Sequence, residues 1–392
     1  MGRTRKQQIE ELRLLVEQVE VKLQEYKKQG KLQEMESLYA EYMEAKSILQ
    51  KAKERKREVV FLPYKASMWD SLESVWKATE EDPDCNAYVI PIPYYEKNPD
   101  GSFKEMQYEG ELYPAYVPIT HYETYDFEER KPDMIFIHNP YDEYNLVTSV
   151  HPFFYSKHLK QFTENLIYIP YFIRDEISIE DTEEVERMAH FCTVPAVFHA
   201  DKVIVQSEEM KQIYIKVLME QTNRKNQQYW EQKILGLGSP KIDKLRNTRV
   251  EDLQIPKEWE KLIIKSDGSR KKVVLYNTHL ILVMLPYGKK YLLLLKETLD
   301  MFKRYTDIVL LWRPHPLTIS TIKSMNPNLL EDYMKIVEEY KKQQWGIYDE
   351  SSDLNRAITI SDAYFGSIGS VWSLYKYTRK PMLIQDYDIL WE

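Results

Sequence analysis

A chain of 392 residues with 43% hydrophobic content can bury a large core and is long enough for two ordinary domains. Its 62 acidic residues outnumber 54 basic ones for a net charge of −8, which argues against nucleic acid as the main partner, because neutralising phosphates needs a broad basic face. Cys85 and Cys192 lack CxxC spacing, so they read as thiols of a reducing compartment and not as a zinc site or disulfide framework. No run approaches the roughly 20 apolar residues of a membrane span. The start MGRTRKQQ lacks the apolar core of a signal peptide, so a cytoplasmic location is expected.

Residues 1–58 form a segment of their own. Ile9, Leu12, Val16, Val19, Leu23 and Tyr26 keep the 3-4 spacing of a coiled-coil seam, and Leu32, Met35, Tyr39, Tyr42, Ala45 and Leu49 resume it. Between them KKQGK offers Gly30 as a helix-ending residue, which predicts a helical hairpin. The basic run KAKERKR (51–57) is either a site for an anionic membrane surface or partner protein, or a solvated helix end; the second is the ordinary case.

From residue 59 short β-rich runs alternate with helical patterns. Strands are expected at 58–63, 87–93, 134–138, 166–172 and 202–206, then at 271–277, 306–312, 362–366 and 381–385. Over 67–78 the spacing predicts a helix with Ser67 and Asp70 as a capping pair and Trp69, Leu72 and Trp76 facing a sheet. Such alternation means parallel sheets covered by helices, an α/β class of two doubly wound, Rossmann-like units. The polar stretch around 222–258 separates them, giving expected domains of 1–58, 59–230 and 231–392. Residues 94–133 are a Tyr- and Pro-rich insertion, of a kind that is commonly functional or mobile.

In open α/β sheets ligands bind beyond the carboxyl ends of the strands. LLWRPHPL (310–317) ends a strand in Arg313 and His315, each followed by a proline that holds it extended. An arginine fork with an imidazole beside it suits phosphate oxygens. The competing reading pairs Arg313 with an acidic neighbour and makes His315 a loop cap. In ISDAYFGSIGSVWSLYKYTRKP (360–381) Ser367, Gly369 and Ser370 form a small turn opening a helix, a place for an anion, though without the spacing of a dinucleotide or P-loop fingerprint. GLGSPKIDKL (236–245) adds Lys241 and Asp243, and YNTHL (276–280) adds Asn277 and His279. Parallel topology places these strand ends on one rim, where a nucleoside diphosphate is the natural ligand.

Taken in order, GSPKID (238–243), VVLYNTH (273–279), RPHP (313–316) and the motif from Ser361 to Pro381 resemble those of the CDP-glycerol glycerophosphotransferase family, the teichoic-acid polymerases and primases. ADKVIVQSEEMKQIY (200–214) looks like the last strand–helix unit of that family's first domain. The resemblance implies a GT-B fold with the donor nucleotide on the second unit. It implies metal-independent transfer of glycerol phosphate from CDP-glycerol to a polyol or glycan hydroxyl, as in cell-wall polymer synthesis, with release of CMP. No separate cofactor is implied. By position, Arg313 and His315 would contact the donor phosphates, His315 serving catalysis, and Ser370 with Ser367 and Gly369 would hold the pyrophosphate. Asp353 and Asn355, with Asn277, His279 and Lys241, would lie on the nucleotide side. The family's Trp-His-Gly motif is replaced by IYIPYFIRDE (167–176), with no histidine; His138, His151, His190 and His199 are nearby but none sits in that motif, so the general base stays unassigned. The alternatives are a sugar-nucleotide glycosyltransferase or epimerase on the same fold, and an idle scaffold that works through its coiled coil.

Overall fold

The computed structural model describes residues 5–98, 100–284, 288–351, 353–385 and 387; residues 1–4 of the first segment lie outside it. Helices α1 (Arg5–Gln29) and α2 (Leu32–Glu54) fold back on each other around Val16, Ala45 and Leu49, with Ile9, Leu12 and Tyr42 packed alongside. Gly30 makes the reversal at a φ of 70°, a left-handed conformation that favours glycine. The expected seam holds only in part, because Leu32 and Tyr39 are exposed. The basic run does not stay a helix: α2 stops at Glu54, Arg57 pairs with Asp82 at 3.0 Å, and Arg55 lies 3.6 Å from Asp133.

The strands of the first half are β1 (Arg57–Leu62), β2 (Cys85–Val89), β3 (Tyr94–Lys97), β4 (Phe103–Gln107), β5 (Met134–Ile137), β6 (Thr148–Val150), β7 (Asn165–Tyr168), β8 (Lys202–Ile204) and β9 (Ile234–Leu235). Six of them form a parallel sheet in the order β2-β1-β5-β7-β8-β9. Alternation along β1 explains its two covers. Val59 and Phe61 pack on one face with Trp69, Leu72 and Trp76, while Val60 and Leu62 join Ile135, Leu166 and Met188 on the other. The three residues expected to face the sheet do so, but on a 3₁₀ turn (Ala66–Ser71) and a short helix (Glu73–Glu81) in place of one capped helix. Ser67 caps neither element: Lys65 precedes the 3₁₀ turn and Leu72 the helix, each without a side-chain cap among the described residues. The Tyr-rich insertion is ordered: β3 and β4 pair antiparallel, and β6 completes a small sheet beside the main one.

The second sheet is also parallel, in the order β12-β11-β10-β13-β14, from β10 (Lys272–Thr278), β11 (Ile308–Pro314), β12 (Ile347–Tyr348), β13 (Ala363–Gly366) and β14 (Met382–Ile384). Val273, Leu275, Val309 and Leu311 point to one helical layer, and Tyr276, Leu310 and Trp312 to the other. Gly366 is a position only glycine can hold: its φ is 139°, and a β-carbon there would sit 2.1 Å from the Asn277 carbonyl oxygen. The two doubly wound units bear out the expected fold class. The first sheet runs to Leu235, past the 230/231 boundary read from composition, because a two-residue edge strand carries little hydrophobic signal.

The seam between the units follows from GSPKID. Gly238 turns the chain at a φ of 105°, Pro240 opens the helix Pro240–Asn247, and Lys241 and Lys244 emerge three residues apart on one face. Opposite them Asp70 and Glu73 have the same spacing, and two ion pairs form, Lys241 with Asp70 and Lys244 with Glu73. The Ser74 hydroxyl adds a hydrogen bond of 3.2 Å to Asp243.

On the first unit His138, 0% exposed, ties the end of β5 to the loop after β1. The Tyr64 N–H donates to its Nε2 at 3.0 Å, so the geometry assigns the proton to Nδ1, which donates to the Ser71 hydroxyl at 2.8 Å. Burial pushes its pKa down to about 3, with the Lys241 charge adding to the effect. The folded state therefore keeps His138 neutral while the unfolded chain protonates it near pH 6.5, so its contribution to stability is full above that pH and is lost as pH falls toward 3. Urea unfolding at pH 7, 6, 5 and 4 is expected to show a steeper loss of stability in the wild type than in His138→Gln. The variant should itself be less stable at pH 7 by about 1–3 kcal/mol. Parallel pH profiles for the two proteins would mean that His138 does not titrate differently on folding.

Candidate functional site

The carboxyl ends of the two sheets meet across a cleft of about 450 Å³. From the second unit its lining includes Arg313–Pro316, Tyr348 and Asp349–Ser351, and from the first Lys65, Ser67 and Glu109. His315 follows β11 directly. Its backbone N–H bonds to the Thr278 carbonyl at 3.3 Å, and the Leu317 N–H donates to its Nδ1 at 3.1 Å. That bond leaves the proton on Nε2, so the neutral ring is a hydrogen-bond donor at its outer nitrogen. Burial pushes the pKa down to about 4, and His279 and Lys65 add to the depression. The loop-cap reading of His315 is thus realised, and it is compatible with a ligand contact because the cap uses only Nδ1.

Arg313 behaves differently from expectation. Its side chain is 6% exposed, one NH group bonds to Asp349, and the other donates to the Ser351 carbonyl at 2.8 Å. The register explains why. Trp312 pairs with Tyr348, so the next residues, Arg313 and Asp349, run side by side on adjacent parallel strands. A buried guanidinium without a partner would be very costly, so the fork pairs with the nearest carboxylate, and Arg313 lines the cleft as part of that pair. Arg313 fixes the 349–351 wall.

The other candidates divide. His279 and the serine turn are brought together: the His279 N–H donates to the Ser367 hydroxyl at 3.1 Å, and a β-carbon on Gly369 would lie 3.1 Å from the His279 ring. Ser370 is exposed at the first position of the helix Ser370–Tyr375. Burial lowers the pKa of His279, with the Arg174 charge as a second cause. Asn277 is buried and donates to the Arg313 carbonyl at 2.9 Å, joining β10 to β11. Three residues expected on the nucleotide side stand elsewhere. Lys241 is in the seam pair, Asp353 caps the helix Leu354–Ile360 through the Arg356 N–H, and Asn355 lines a separate cavity.

Two cations and one carboxylate of the first unit went unnoticed in the sequence. Lys65, two residues past Pro63, lies 4.3 Å from the centre of the Tyr94 ring and 4.0 Å from Glu109; burial lowers its pKa, and Glu109 opposes this. Glu109 accepts from the Tyr94 hydroxyl at 2.7 Å and from the Ala66 N–H at 2.8 Å. Arg174 stacks on Phe191 at 4.7 Å and has no hydrogen-bond partner at its buried Nε among the described residues. The strand-end rule could have flagged Lys65, just past β1, and Arg174 in the segment after β7. Glu109 carries no comparable signal, since it reaches the cleft through the insertion. None of the four first-unit histidines considered as a base lines the cleft among the described residues. His138 has both nitrogens engaged, His151 caps the turn Pro152–Phe154, and His199 bonds to Ser156 at 2.8 Å. His190 follows the Arg174 stack, its ring 3.8 Å from that of Phe191.

Comparison with curated proteins gave no match. Among solved structures, the UDP-GlcNAc 2-epimerase of Methanocaldococcus jannaschii in complex with UDP-GlcNAc and UDP is similar at 12% identity and a TM-score of 0.49, over 83% of each chain. The Neisseria meningitidis UDP-GlcNAc 2-epimerase bound to UDP-GlcNAc is similar at 13% identity and a TM-score of 0.47, over 83% of this chain and 82% of that one. The S. aureus MnaA–UDP structure aligns at 12% identity and a TM-score of 0.47, over 84% and 78%. No helix of the described residues is long and apolar enough to cross a membrane. The motifs on the cleft rim fall within a stretch, residues 175–390, that matches the model of one family over more than half of the chain, and the chain accordingly belongs to the CDP-glycerol:poly(glycerophosphate) glycerophosphotransferase family.

Proposed function

We propose that this protein binds CDP-glycerol in the cleft between the sheet ends and transfers glycerol phosphate to a hydroxyl of a polyol or glycan of teichoic-acid type. The observation that carries the reading is the meeting of Lys65 from one unit with His315 from the other across one cleft, on motifs that belong to a glycerophosphotransferase family. A diphosphate there would receive the outer N–H of neutral His315, the ammonium of Lys65 and the Ser370 hydroxyl, with Arg174 adding charge next to His279. His315 then acts as a donor to the phosphate and not as a base, since its Nδ1 is already an acceptor. Arg313 supports the wall behind it.

The acceptor oxygen attacks the phosphorus that bears glycerol, its proton passes to Glu109, and the bond between the two phosphoryl groups breaks to release CMP. Glu109 suits this role because two hydrogen bonds hold it in place, while the other cleft carboxylates are paired, Asp349 with Arg313 and Glu350 with Lys341 at 2.7 Å. Lys65 beside it would stabilise the charge that gathers on the transferred phosphoryl group, and water exclusion between the units would strengthen that interaction.

In a thermal-shift screen CDP-glycerol is expected to stabilise the chain and UDP-sugars not to; the reverse pattern would favour a sugar-nucleotide enzyme and overturn the proposal. Lys65→Ala and His315→Ala should each weaken CDP-glycerol binding by about 10- to 100-fold, the loss of one hydrogen bond to a charged group. Arg313→Ala should instead cost about 3–5 kcal/mol of stability by stranding Asp349, which urea unfolding measures. Release of CMP with a polyol acceptor should fall about 100-fold or more in Glu109→Gln with donor affinity retained. An unchanged rate in that variant would remove Glu109 from the mechanism.

A further inference from the structure

Just past β14, Gln385 and Tyr387 reach the serine turn through a chain of hydrogen bonds whose direction is fixed from end to end. Thr298, on the helix Gly288–Lys303, gives its proton to the Leu294 carbonyl at 2.8 Å, so its oxygen accepts from the Gln385 Nε2, also at 2.8 Å. That turns the amide oxygen toward two phenols, and it accepts from Tyr276 and Tyr387 at 2.9 Å each. Burial pushes the Tyr387 phenol up to about 12, so it keeps the proton that points at Gln385. Toward Ser367, 2.8 Å away, the Tyr387 oxygen can then only accept, and the Ser367 hydroxyl is the donor. The Ser367 oxygen in turn accepts the His279 N–H at 3.1 Å. The backbone of Ser367 is spent as well: its N–H goes to the Asn277 carbonyl at 3.1 Å, and its carbonyl takes the Tyr364 hydroxyl at 2.5 Å. A serine so committed, and 5% exposed, has no proton to offer a phosphate; it holds His279 instead. The His279 ring stands so close to the turn that a β-carbon on Gly369 would meet it at 3.1 Å, and a shift of one is felt by the other. The ring of Tyr387 packs against the core layer that contains Tyr276 and Trp312, so a phenylalanine there would keep the packing and lose only the hydroxyl. Without the phenol oxygen the buried Ser367 proton has no acceptor, and the hydroxyl turns away from His279 to find one.

We propose that Tyr387 is a positioning residue for the donor site: through the Ser367 hydroxyl it fixes the backbone of His279, and with it the ring that stands against the Gly369–Ser370 turn. Its part in donor binding rests on the transfer reading above; the fixing of His279 does not. Tyr387→Phe and Tyr276→Phe each remove one phenol from the same Gln385 oxygen, and only Tyr387 touches Ser367. In isothermal titration calorimetry on the full chain, Tyr387→Phe should bind CDP-glycerol about 5- to 20-fold more weakly than the wild type, and Tyr276→Phe within about twofold of it. Tyr276 is fully buried, so its variant should lose at least as much thermal midpoint, and a loss of stability alone would not separate the two. NMR titration of the His279 ring in histidine-labelled protein, assigned by its absence in His279→Gln, gives a readout independent of the donor. Burial and the Arg174 charge hold this pKa below 6.5; Tyr387→Phe should move it toward 6.5, and Tyr276→Phe should leave it in place. The proposal is overturned if Tyr387→Phe binds CDP-glycerol as the wild type does, or if the two variants alter affinity and the His279 titration alike. If the wild type does not bind CDP-glycerol, the transfer reading fails. The His279 titration then decides alone: a pKa moved only in Tyr387→Phe upholds the positioning of His279, and an unmoved one overturns it.

Discussion

The cleft exists because Lys241 and Asp70 form a buried ion pair between the two units, with Lys244 and Glu73 beside it. Two charges taken out of water recover their desolvation cost only when each faces the other in good geometry, so neither half can slide without stranding a charge. The pair comes from two short turns, the 3₁₀ turn after β1 and the helix after Gly238. Those turns lie next to the strand ends that carry Lys65 and Ser67 on one side, and at the head of the unit that carries His279 and His315 on the other. Glu73 illustrates the balance: burial alone would raise its pKa, yet Lys244, Lys77 and Tyr116 together hold it below the usual value.

The cleft wall carries both signs of charge, with Lys65 and Arg313 set against Glu109, Asp349 and Glu350. His315 and His279 are both held neutral by burial and by neighbouring positive groups, Lys65 is partly relieved of its own desolvation by Glu109, and Arg174 is held by a ring and not by a carboxylate. The neutral His315 ring, its tautomer fixed by the Leu317 N–H, offers one directed N–H at Nε2.

The alternation of strand and helix, the two sheets and the position of nearly every main strand were legible in the sequence, because residues such as Val59–Leu62 and Val309–Trp312 form apolar runs too short for helices and covered on both faces. The rim residues His279, Ser367 and His315 were legible through the strand-end rule. The acidic partner that one reading of Arg313 required was not legible, because Asp349 lies 36 residues away, next to an edge strand of two residues that no periodicity reveals. Lys241 was misread for a similar reason, since its partner Asp70 is 171 positions distant, in a stretch that looked like an ordinary capped helix.

The sequence by itself determined the fold class, the strand ends that face the cleft and the family, since each depends on local pattern: hydrophobic period, proline and glycine at fixed places, and motif order. Only the tertiary structure decided which charges are spent and which remain available. That choice depends on distances between residues far apart in the chain, where a side chain serves the nearest opposite charge before any ligand arrives. Arg313 and Lys241 were claimed by Asp349 and Asp70 in this way, while Lys65 and His315 line the cleft from opposite units.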